Sequence, residues 1–413
     1  MSNPLLQLGE VGQAVWLDFI DRKILVDGGL KRLIEQDGLK GVTSNPAIFE
    51  KAMGEGSDYD ERLRTFLAQG RPGAAEVYEH LAIGDIRDAA DQLRPVFDAT
   101  KGADGFVSLE VSPYLARDTQ GTVTEARRLW KEVDRPNLMF KVPGTQEGFG
   151  AIRTLVGEGI NINVTLLFAL KAYLAVAEAH TAGLEAFKAS GGDVGKVAGV
   201  ASFFVSRIDI QIDKKIDQRI AAGDRDAEAL KALRGKVAIA NAKVAYQEYL
   251  KLIGTPRWEA LAAAGARPQR LLWASTGTKD PAYSDVLYIE TLIGPDTVNT
   301  IPPKTMDAFR DHGRVAVTLS QDVPEAERVL AEADRLGLDL DGVTRDLVTD
   351  GVKLFSEAAD KLLAAVHGKL AQRQAGLAAR FTSAEKDKAY ATGRHRSGPD
   401  GRQHRATSHA RRP

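Results

Sequence analysis

Residues 137–143 read NLMFKVP, a short apolar run that predicts a buried β-strand ending in a turn. Lys141 is the only charged residue in this run. Lysine is rarely buried unless its charge is paired, and burial favours the neutral amine, which is the nucleophilic form. A lysine at a strand end can also extend its ammonium group to the surface. The other strands must therefore decide whether Lys141 is an ordinary surface lysine or a candidate nucleophile.

Short β-rich runs ending in Gly, Pro, Asn or Ser recur along the chain, and longer helical segments lie between them. Val123–Val133, for example, places apolar side chains on one face and charged ones on the other. The eight predicted strands are Ala14–Phe19, Gly41–Ser44, Gly105–Val111, Leu138–Val142, Ile160–Leu166, Val197–Phe204, Arg270–Ser275 and Thr297–Ile301. Alternating strands and helices indicate a parallel sheet, and eight strands close a (β/α)8 barrel. The sequence therefore predicts an α/β fold of the TIM-barrel type.

Two helical regions extend this pattern. The region between strands two and three, about Tyr59–Phe97, is long enough for an insertion of several helices. Barrels accept such insertions in their loops. After strand eight, Met306–Phe309, Pro324–Arg335 and Asp346–Leu370 have helical apolar spacing and are expected to pack across the barrel. We therefore predict one barrel domain with C-terminal helices over residues 1–380.

The chain changes character from about Phe381. Residues 381–413 carry eight Lys/Arg against three Asp/Glu and have almost no aliphatic side chains. Such a segment cannot bury a core, so we interpret it as a basic, disordered tail. A basic arm that binds a polyanion is the alternative interpretation.

Composition excludes several classes of function. The chain of 413 residues has no cysteine, which excludes disulfides, thiolate metal sites and thiol nucleophiles. A net charge of -1 argues against binding to nucleic acid or to a membrane surface. Neither a signal peptide nor a membrane-spanning segment is recognisable, so we expect a soluble cytoplasmic protein, either a monomer or a homodimer.

Polar side chains occur at the ends of nearly all the predicted strands. In a parallel barrel these ends meet on one face, which is where catalytic residues collect. Each side chain alone has an ordinary explanation, such as a turn, a cap or a solvated surface charge. Their coincidence on successive strands outweighs those separate explanations. The candidates are Asp18, Asn45, Glu110, Lys141, Asn163, Thr165, Ser202, Arg207, Ser275 and Lys279.

These residue types suit chemistry on a lysine Schiff base. A buried amine can attack a ketone, and the resulting cationic nitrogen accepts electrons when a neighbouring carbon–carbon bond breaks. Asp18 and Glu110 are candidate general acids or bases, and Thr165 could position a water. Arg207, Lys279 and the Gly-containing Ser275–Lys279 loop favour an anionic group, so we expect a phosphorylated sugar as substrate. No ligand cluster at metal spacing surrounds Lys141, and we expect neither a metal nor an organic cofactor.

Six segments in order along the chain read GVTSNPAIFEKA, SLEVSPYLARDTQGTVTEARRLW, NLMFKVPGT, INVTLLF, ASFFVSRID and LLWASTGTKDPAYSDVLYIETLIGPDTVNTIPP. Together they resemble the transaldolase family, in its longer bacterial branch, and the resemblance covers about residues 10–375. It implies a barrel enzyme that transfers a dihydroxyacetone unit from sedoheptulose 7-phosphate to glyceraldehyde 3-phosphate through a lysine Schiff base.

The resemblance also implies roles for the candidates. Lys141 would form the Schiff base, Asp18 would transfer protons, and Glu110 would work with Thr165 through a catalytic water. Asn45, Asn163 and Ser202 would hydrogen-bond the hydroxyls of the ketose. Arg207 would hold the phosphate together with Ser275 and a second cation. Many family members have an arginine soon after the serine, whereas this loop offers Lys279, which lacks the two-pronged guanidinium.

Two other functions compete with this one. A fructose 6-phosphate aldolase would use the same fold and lysine but release free dihydroxyacetone. Glu110 argues against it, because that branch of the family typically has Gln there and a much shorter chain. A non-catalytic sugar-phosphate-binding barrel is the second alternative. It would not require Lys141, Glu110 and Asp18 together.

Overall fold

The structure is a computed structural model. It describes residues 3–54 and 57–393, and it describes their side chains up to residue 372. The strands are β1 (Gln13–Leu17), β2 (Gly41–Thr43), β3 (Phe106–Glu110), β4 (Leu138–Pro143), β5 (Ile162–Leu167), β6 (Gly199–Phe204), β7 (Arg270–Ala274) and β8 (Thr297–Ile301). The helices are α1 (Pro4–Glu10), α2 (Arg22–Val26), α3 (Gly29–Asp37), α4 (Pro46–Gly54), α5 (Asp60–Leu67), α6 (Ala74–Ala99), α7 (Thr119–Val133), α8 (Gln146–Val156), α9 (Leu170–Ala189), α10 (Ser206–Ala221), α11 (Ala227–Leu233), α12 (Val237–Ile253), α13 (Pro256–Ala262), α14 (Leu287–Glu290), α15 (Pro303–His312), α16 (Val323–Arg335) and α17 (Leu340–Gly393).

The eight strands form a closed parallel barrel in the order β1 to β8. This confirms the predicted (β/α)8 fold, and every predicted strand is present with ends shifted by no more than a few residues. In the barrel register, Glu110 of β3 pairs with Lys141 of β4, and Lys141 pairs with Asn163 of β5. Three of the candidate site residues therefore lie at one level of the barrel.

The strands are buried on both faces because helices cover the outside of the barrel. All six residues of β4 are buried, as are all six of β5 and of β6. This is why β4 is a continuous apolar run rather than an alternation of polar and apolar residues. A charged side chain in such a strand can only face the interior of the barrel or its mouth.

The helix after β3 begins earlier than its apolar pattern indicates. The prediction began at Val123, whereas α7 begins at Thr119. The side chain of Asp118 accepts a hydrogen bond from the backbone N–H of Gly121 (2.9 Å) and caps the helix there. Asp134, with φ of 50°, ends it in the left-handed conformation.

The predicted helical insertion and C-terminal helices are both present. Helices α4, α5 and α6 lie between β2 and β3, and α15, α16 and α17 follow β8. Packing divides the chain into two units, residues 1–365, which contain the barrel, and residues 366–413. Helix α17 continues to Gly393, so residues 381–393 of the predicted disordered tail are helical, as their Ala, Lys and Glu content favours. The rest of that tail, residues 394–413, lies outside the described residues.

Within residues 3–54 and 57–393, no helix combines the length and apolar character needed to cross a membrane.

A buried carboxylate ties the insertion to the rest of the barrel unit. Asp85 of α6 is fully buried and accepts hydrogen bonds from the Tyr59 hydroxyl (2.6 Å), Arg62 (3.1 Å) and Arg22 (3.3 Å). Burial raises the pKa of Asp85 to about 6, although its hydrogen bonds and the two arginines oppose the shift. The desolvation of this carboxyl therefore outweighs its pairing.

We expect Asp85→Ala to lower the free energy of unfolding by about 3 kcal/mol, because the Tyr59 hydroxyl loses its buried acceptor and Arg22 and Arg62 keep only the partly exposed Asp88 as a partner. Urea unfolding followed by circular dichroism would measure this. Asp91→Ala is the matched control, since the Asp91–Arg135 pair is exposed and should contribute no more than about 1 kcal/mol. Equal losses in the two variants would contradict the prediction.

Candidate active site

A cavity of about 390 Å³ lies at the carboxyl ends of the strands. Eight of the ten predicted site residues line it, and they come from six different strands or from the segments that follow them. The predicted residues on its wall are Asp18, Asn45, Lys141, Thr165, Ser202, Arg207, Ser275 and Lys279. Glu110 and Asn163 are not on this wall. The tertiary structure therefore brings together most of a set that is scattered over more than 250 residues of sequence.

Lys141 is buried, with 6% of its surface exposed. Its Nζ donates a hydrogen bond to the backbone carbonyl of Ser44 (2.9 Å). No carboxylate of the described residues forms an ion pair with it. The interpretation as an ordinary surface lysine is therefore wrong. An amine held inside the barrel and beside a cavity is in a position from which it could attack a bound carbonyl group.

Glu110 lies beside Lys141 in the sheet and is also buried, with 9% of its surface exposed. Neither carboxyl oxygen has a hydrogen-bond partner among the described residues. Burial raises the pKa of Glu110 to about 7; the charge of Lys141 opposes this shift and that of Asp18 adds to it. A carboxyl with a pKa near 7 can both donate and accept a proton at neutral pH.

Glu110 borders a cavity other than the one that Lys141 lines. This second cavity, of about 280 Å³, is mainly apolar and is bounded by residues of α6, α7 and α17. Thr165, on the wall of the first cavity, also has a buried hydroxyl without a partner among the described residues. The Glu110 carboxyl and the Thr165 hydroxyl can therefore each take a further hydrogen-bond partner, such as a water molecule.

Asp18 is held by a chain of hydroxyl groups. Its Oδ1 accepts a hydrogen bond from Thr43 (2.9 Å), and Thr43 Oγ1 lies 2.8 Å from Thr300 Oγ1. Sequence reasoning missed both threonines. The rule that selected the other candidates also applies to them, because both threonines are inward-facing polar residues near the ends of apolar strands, strands two and eight.

The three hydroxyl-binding candidates occupy different environments. Ser202 lines the cavity and donates to Asn163 Oδ1 (2.6 Å), and Asn163 donates to Ser108 Oγ (3.0 Å). Asn163 is fully buried, so it can act on a cavity ligand only through Ser202. Asn45 lines the cavity, and its Oδ1 also accepts from the Ile48 backbone N–H (3.0 Å) at the start of α4. Its ordinary capping role and its place in the site therefore coexist.

The cationic end of the cavity lies at the start of α10. Arg207 is in the first turn, with its guanidinium 5.3 Å from the centre of the Phe204 ring. Burial lowers the pKa of Arg207 and the Asp18 charge opposes this, but an arginine remains charged at neutral pH. Ser275 Oγ lies 2.9 Å from Ser206 Oγ, and Lys279 is exposed at the rim. An arginine, a lysine, a hydroxyl and a helix N-terminus together suit a phosphate group.

Some of the cavity wall could not be predicted from strand ends. Ile210 belongs to α10, and Phe355 belongs to α17, more than fifty residues beyond β8. Apolar residues in a helical pattern carry no signal that one of them faces a polar cavity. In the part of the chain that the structure describes, no group of three His, Cys, Asp or Glu side chains is arranged to hold a metal ion.

Comparison with known proteins agrees with this geometry. The family model for transaldolase/fructose-6-phosphate aldolase matches residues 15–366. A transaldolase of Thiobacillus denitrificans is 51% identical over 359 residues, which cover 87% of this chain and 98% of the relative. Transaldolase 2 of Nostoc sp. is 48% identical over 374 residues (89% and 98%), and the transaldolase of Thermobifida fusca is 48% identical over 372 residues (90% and 99%).

The family-model match begins within β1, includes β2 to β8 and extends into α17. The resemblance found in six segments of sequence is thereby confirmed. This chain belongs to the transaldolase/fructose-6-phosphate aldolase family.

Proposed function

We propose that this protein catalyses the transaldolase reaction. It would move a dihydroxyacetone unit from sedoheptulose 7-phosphate to glyceraldehyde 3-phosphate, giving erythrose 4-phosphate and fructose 6-phosphate. The observation that carries the proposal is the buried amine of Lys141 in a cavity that Arg207 and Lys279 also line. The family membership supports the same reaction.

In the proposed mechanism, Lys141 Nζ attacks the ketone carbon to form a carbinolamine, which loses water to give a cationic Schiff base. Glu110, with its pKa near 7, would give and take the protons of this dehydration through a water held by Thr165. Asp18 would remove the proton of the C4 hydroxyl. The C3–C4 bond then breaks, its electron pair moves to the Schiff-base nitrogen as an enamine, and the aldehyde leaves.

The second half of the reaction reverses these steps. The enamine attacks the carbonyl carbon of glyceraldehyde 3-phosphate, and Asp18 returns the proton to the new hydroxyl. Water then releases fructose 6-phosphate and regenerates the Lys141 amine. Thr43 would keep Asp18 oriented through its 2.9 Å hydrogen bond in both halves. No step of this scheme requires an oxidant or an organic cofactor.

The other polar residues that line the cavity would bind the substrate. Ser202, oriented by Asn163, and Asn45 would hydrogen-bond the ketose hydroxyls near Lys141. Arg207 and Ser275 would hold the phosphate at the other end, and Lys279 would add charge from the rim. Because Lys279 is exposed, we expect its contribution to be weaker than that of Arg207.

The proposal predicts a covalent product that mass spectrometry can locate. Borohydride added with fructose 6-phosphate should reduce the Schiff base and attach one three-carbon ketose unit to Lys141. Enzyme treated with borohydride alone should remain unmodified. An active enzyme without modification at Lys141 would overturn the proposal. In enzyme that has not been treated with borohydride, release of free dihydroxyacetone without an acceptor aldehyde should be slow; dominant release would indicate the aldolase reaction instead.

Three further expectations accompany the proposed function. Charged sugar phosphates do not cross lipid bilayers, so we propose that the enzyme works in the cytoplasm beside its substrates. We propose residues 1–380 as the catalytic domain. We also propose a monomer or a homodimer, which sedimentation velocity would distinguish.

A further inference from the structure

The segment after β7 separates the substrate cavity from a third cavity. This β7 segment, residues 275–290, comprises a loop and the short helix α14. The third cavity, of about 400 Å³, lies between the β7 segment and α10. Ile210 and Lys279 line both it and the substrate cavity. Any movement of the β7 segment against α10 would therefore change the shape of the substrate cavity.

Two carboxylates of α10 hold the β7 segment through tyrosine hydroxyls. The Tyr288 hydroxyl donates to Asp209 Oδ2 (3.0 Å), and the Tyr283 hydroxyl donates to Asp213 Oδ2 (2.8 Å). Asp209 and Asp213 are four residues apart, so they lie on the same face of the helix. Arg207 is in the first turn of that same helix. One rigid element thus carries both the proposed phosphate ligand and two attachment points for the β7 segment.

The second oxygen of each carboxylate is also bonded. Asp209 Oδ1 accepts from the Ala238 backbone N–H (2.8 Å), and Asp213 Oδ1 accepts from the Gly235 backbone N–H (3.2 Å). Both carboxylates are buried. With both oxygens engaged, neither side chain can rotate without breaking a hydrogen bond. The tyrosine hydroxyls are therefore bound to fixed carboxylates and not to carboxylates that move freely at the surface.

Further bonds connect the two elements nearer to the cavity. The Ser206 backbone N–H donates to the carbonyl of Ser275 (3.2 Å), and Arg234 bridges Asp217 of α10 (2.9 Å) and Asp280 of the loop (3.1 Å). Ser275 has φ of 56°, a conformation that costs free energy in a residue other than glycine. Such a backbone conformation persists only when its surroundings hold it.

We propose that Asp209 and Asp213 are positioning residues that act through Tyr288 and Tyr283 on the phosphate end of the substrate cavity. By holding the β7 segment against α10, they set the position of Ser275 relative to Arg207. This inference rests on the proposed function, because it requires the substrate phosphate to bind between these two residues. It predicts an effect on the affinity for phosphorylated substrates and none on the reaction at Lys141.

The test compares Tyr283→Phe, Tyr288→Phe and the double variant with the wild-type enzyme. Loss of both hydroxyls should raise KM for fructose 6-phosphate by about tenfold, with kcat within about twofold. Dihydroxyacetone, which has no phosphate, serves as the second probe. The concentration at which it gives half-maximal borohydride trapping on Lys141 should stay the same in all variants. The single variant Tyr283→Phe keeps the test available if the double variant does not fold.

Tyr59→Phe is the matched control, because it removes an equivalent tyrosine–aspartate hydrogen bond (2.6 Å to Asp85) elsewhere in the barrel unit. Its KM for fructose 6-phosphate should not change, even if its unfolding midpoint falls. An unchanged KM in the β7-segment variants would overturn the positioning role. So would an equal loss of affinity for both probes, which would indicate general damage to the site. If wild-type Lys141 is trapped by neither probe, the proposed function fails and the positioning role fails with it.

Discussion

Lys141→Met is expected to lower kcat of the transaldolase reaction by about 10⁴-fold or more, which is the scale of losing a covalent nucleophile. Methionine keeps a flexible apolar side chain in the buried position but has no amine to form the Schiff base. The Ser44 carbonyl loses its donor, which should cost no more than about 1 to 3 kcal/mol of unfolding free energy. A coupled assay of glyceraldehyde 3-phosphate consumption and a urea unfolding curve would measure the two effects separately.

The control for this variant is Lys171→Met. Lys171 makes an exposed ion pair with Asp341, so the same chemical change should leave kcat unaltered. Turnover by Lys141→Met within about tenfold of the wild type would contradict the Schiff-base role, because general acid–base assistance alone seldom reaches the loss expected here. A folded but inactive Lys141→Met enzyme would also exclude the non-catalytic barrel, since a protein that only binds sugar phosphates would lose no turnover.

Glu110→Gln should have the next largest effect, a loss of about 10² to 10⁴ in kcat. The amide has nearly the same shape as the carboxyl but cannot give or take a proton at neutral pH. In the wild-type enzyme, the pKa of Glu110 near 7 should produce an inflection of kcat near that pH. The variant should lack this inflection. A pH–rate profile that keeps it would assign the titration to another group.

The effect of Glu110→Gln on the free energy of unfolding should depend on pH. Burial raises the pKa of Glu110 from the ordinary 4.5 to about 7, so the folded state holds this proton over a pH range in which the unfolded state releases it. The contribution of Glu110 to the stability of the wild-type protein is therefore lost as pH rises from about 4.5 to about 7. Glutamine does not titrate. The free energy of unfolding of Glu110→Gln should consequently rise relative to that of the wild type as pH increases across that interval.

Glu125→Gln provides the comparison for both measurements. Glu125 lines the same second cavity as Glu110, and its carboxylate accepts the Ser112 backbone N–H (2.7 Å), a bond that the amide oxygen of glutamine can also accept. It does not line the cavity that contains Lys141. We expect kcat of this variant to stay within about twofold of the wild type. A loss as large as that of Glu110→Gln would mean that the cavity, rather than the Glu110 carboxyl, is what matters.

Most of the fold could be predicted because its signals are local. Each strand of this barrel is a short apolar run covered on both faces, and each outer helix repeats its apolar residues every three to four positions. Lys141 stands out for the same reason, as one charge in a run that must be buried. The early start of α7 was missed because a single cap residue, Asp118, determines it.

The composition of the site was predictable, but its contacts were not. Strand order alone places Asp18, Lys141 and Arg207 on the same face of a barrel, since parallel strands all end on one side. It does not show that Glu110 borders the second cavity or that Asn163 reaches the substrate cavity only through Ser202. Those details depend on side-chain directions within a closed sheet, which a linear pattern does not contain.

The hydrogen bonds around the β7 segment are another feature that the sequence does not reveal. In the sequence, Asp209 and Asp213 look like ordinary charges on an amphipathic helix, and Tyr283 and Tyr288 like loop residues. The sequence by itself determined the barrel, its buried lysine and the polar strand ends, because periodicity and burial are properties of neighbouring residues. Only the tertiary structure decided which groups pair, because hydrogen bonds between residues about 70 to 80 positions apart depend on how α10 and the β7 segment pack.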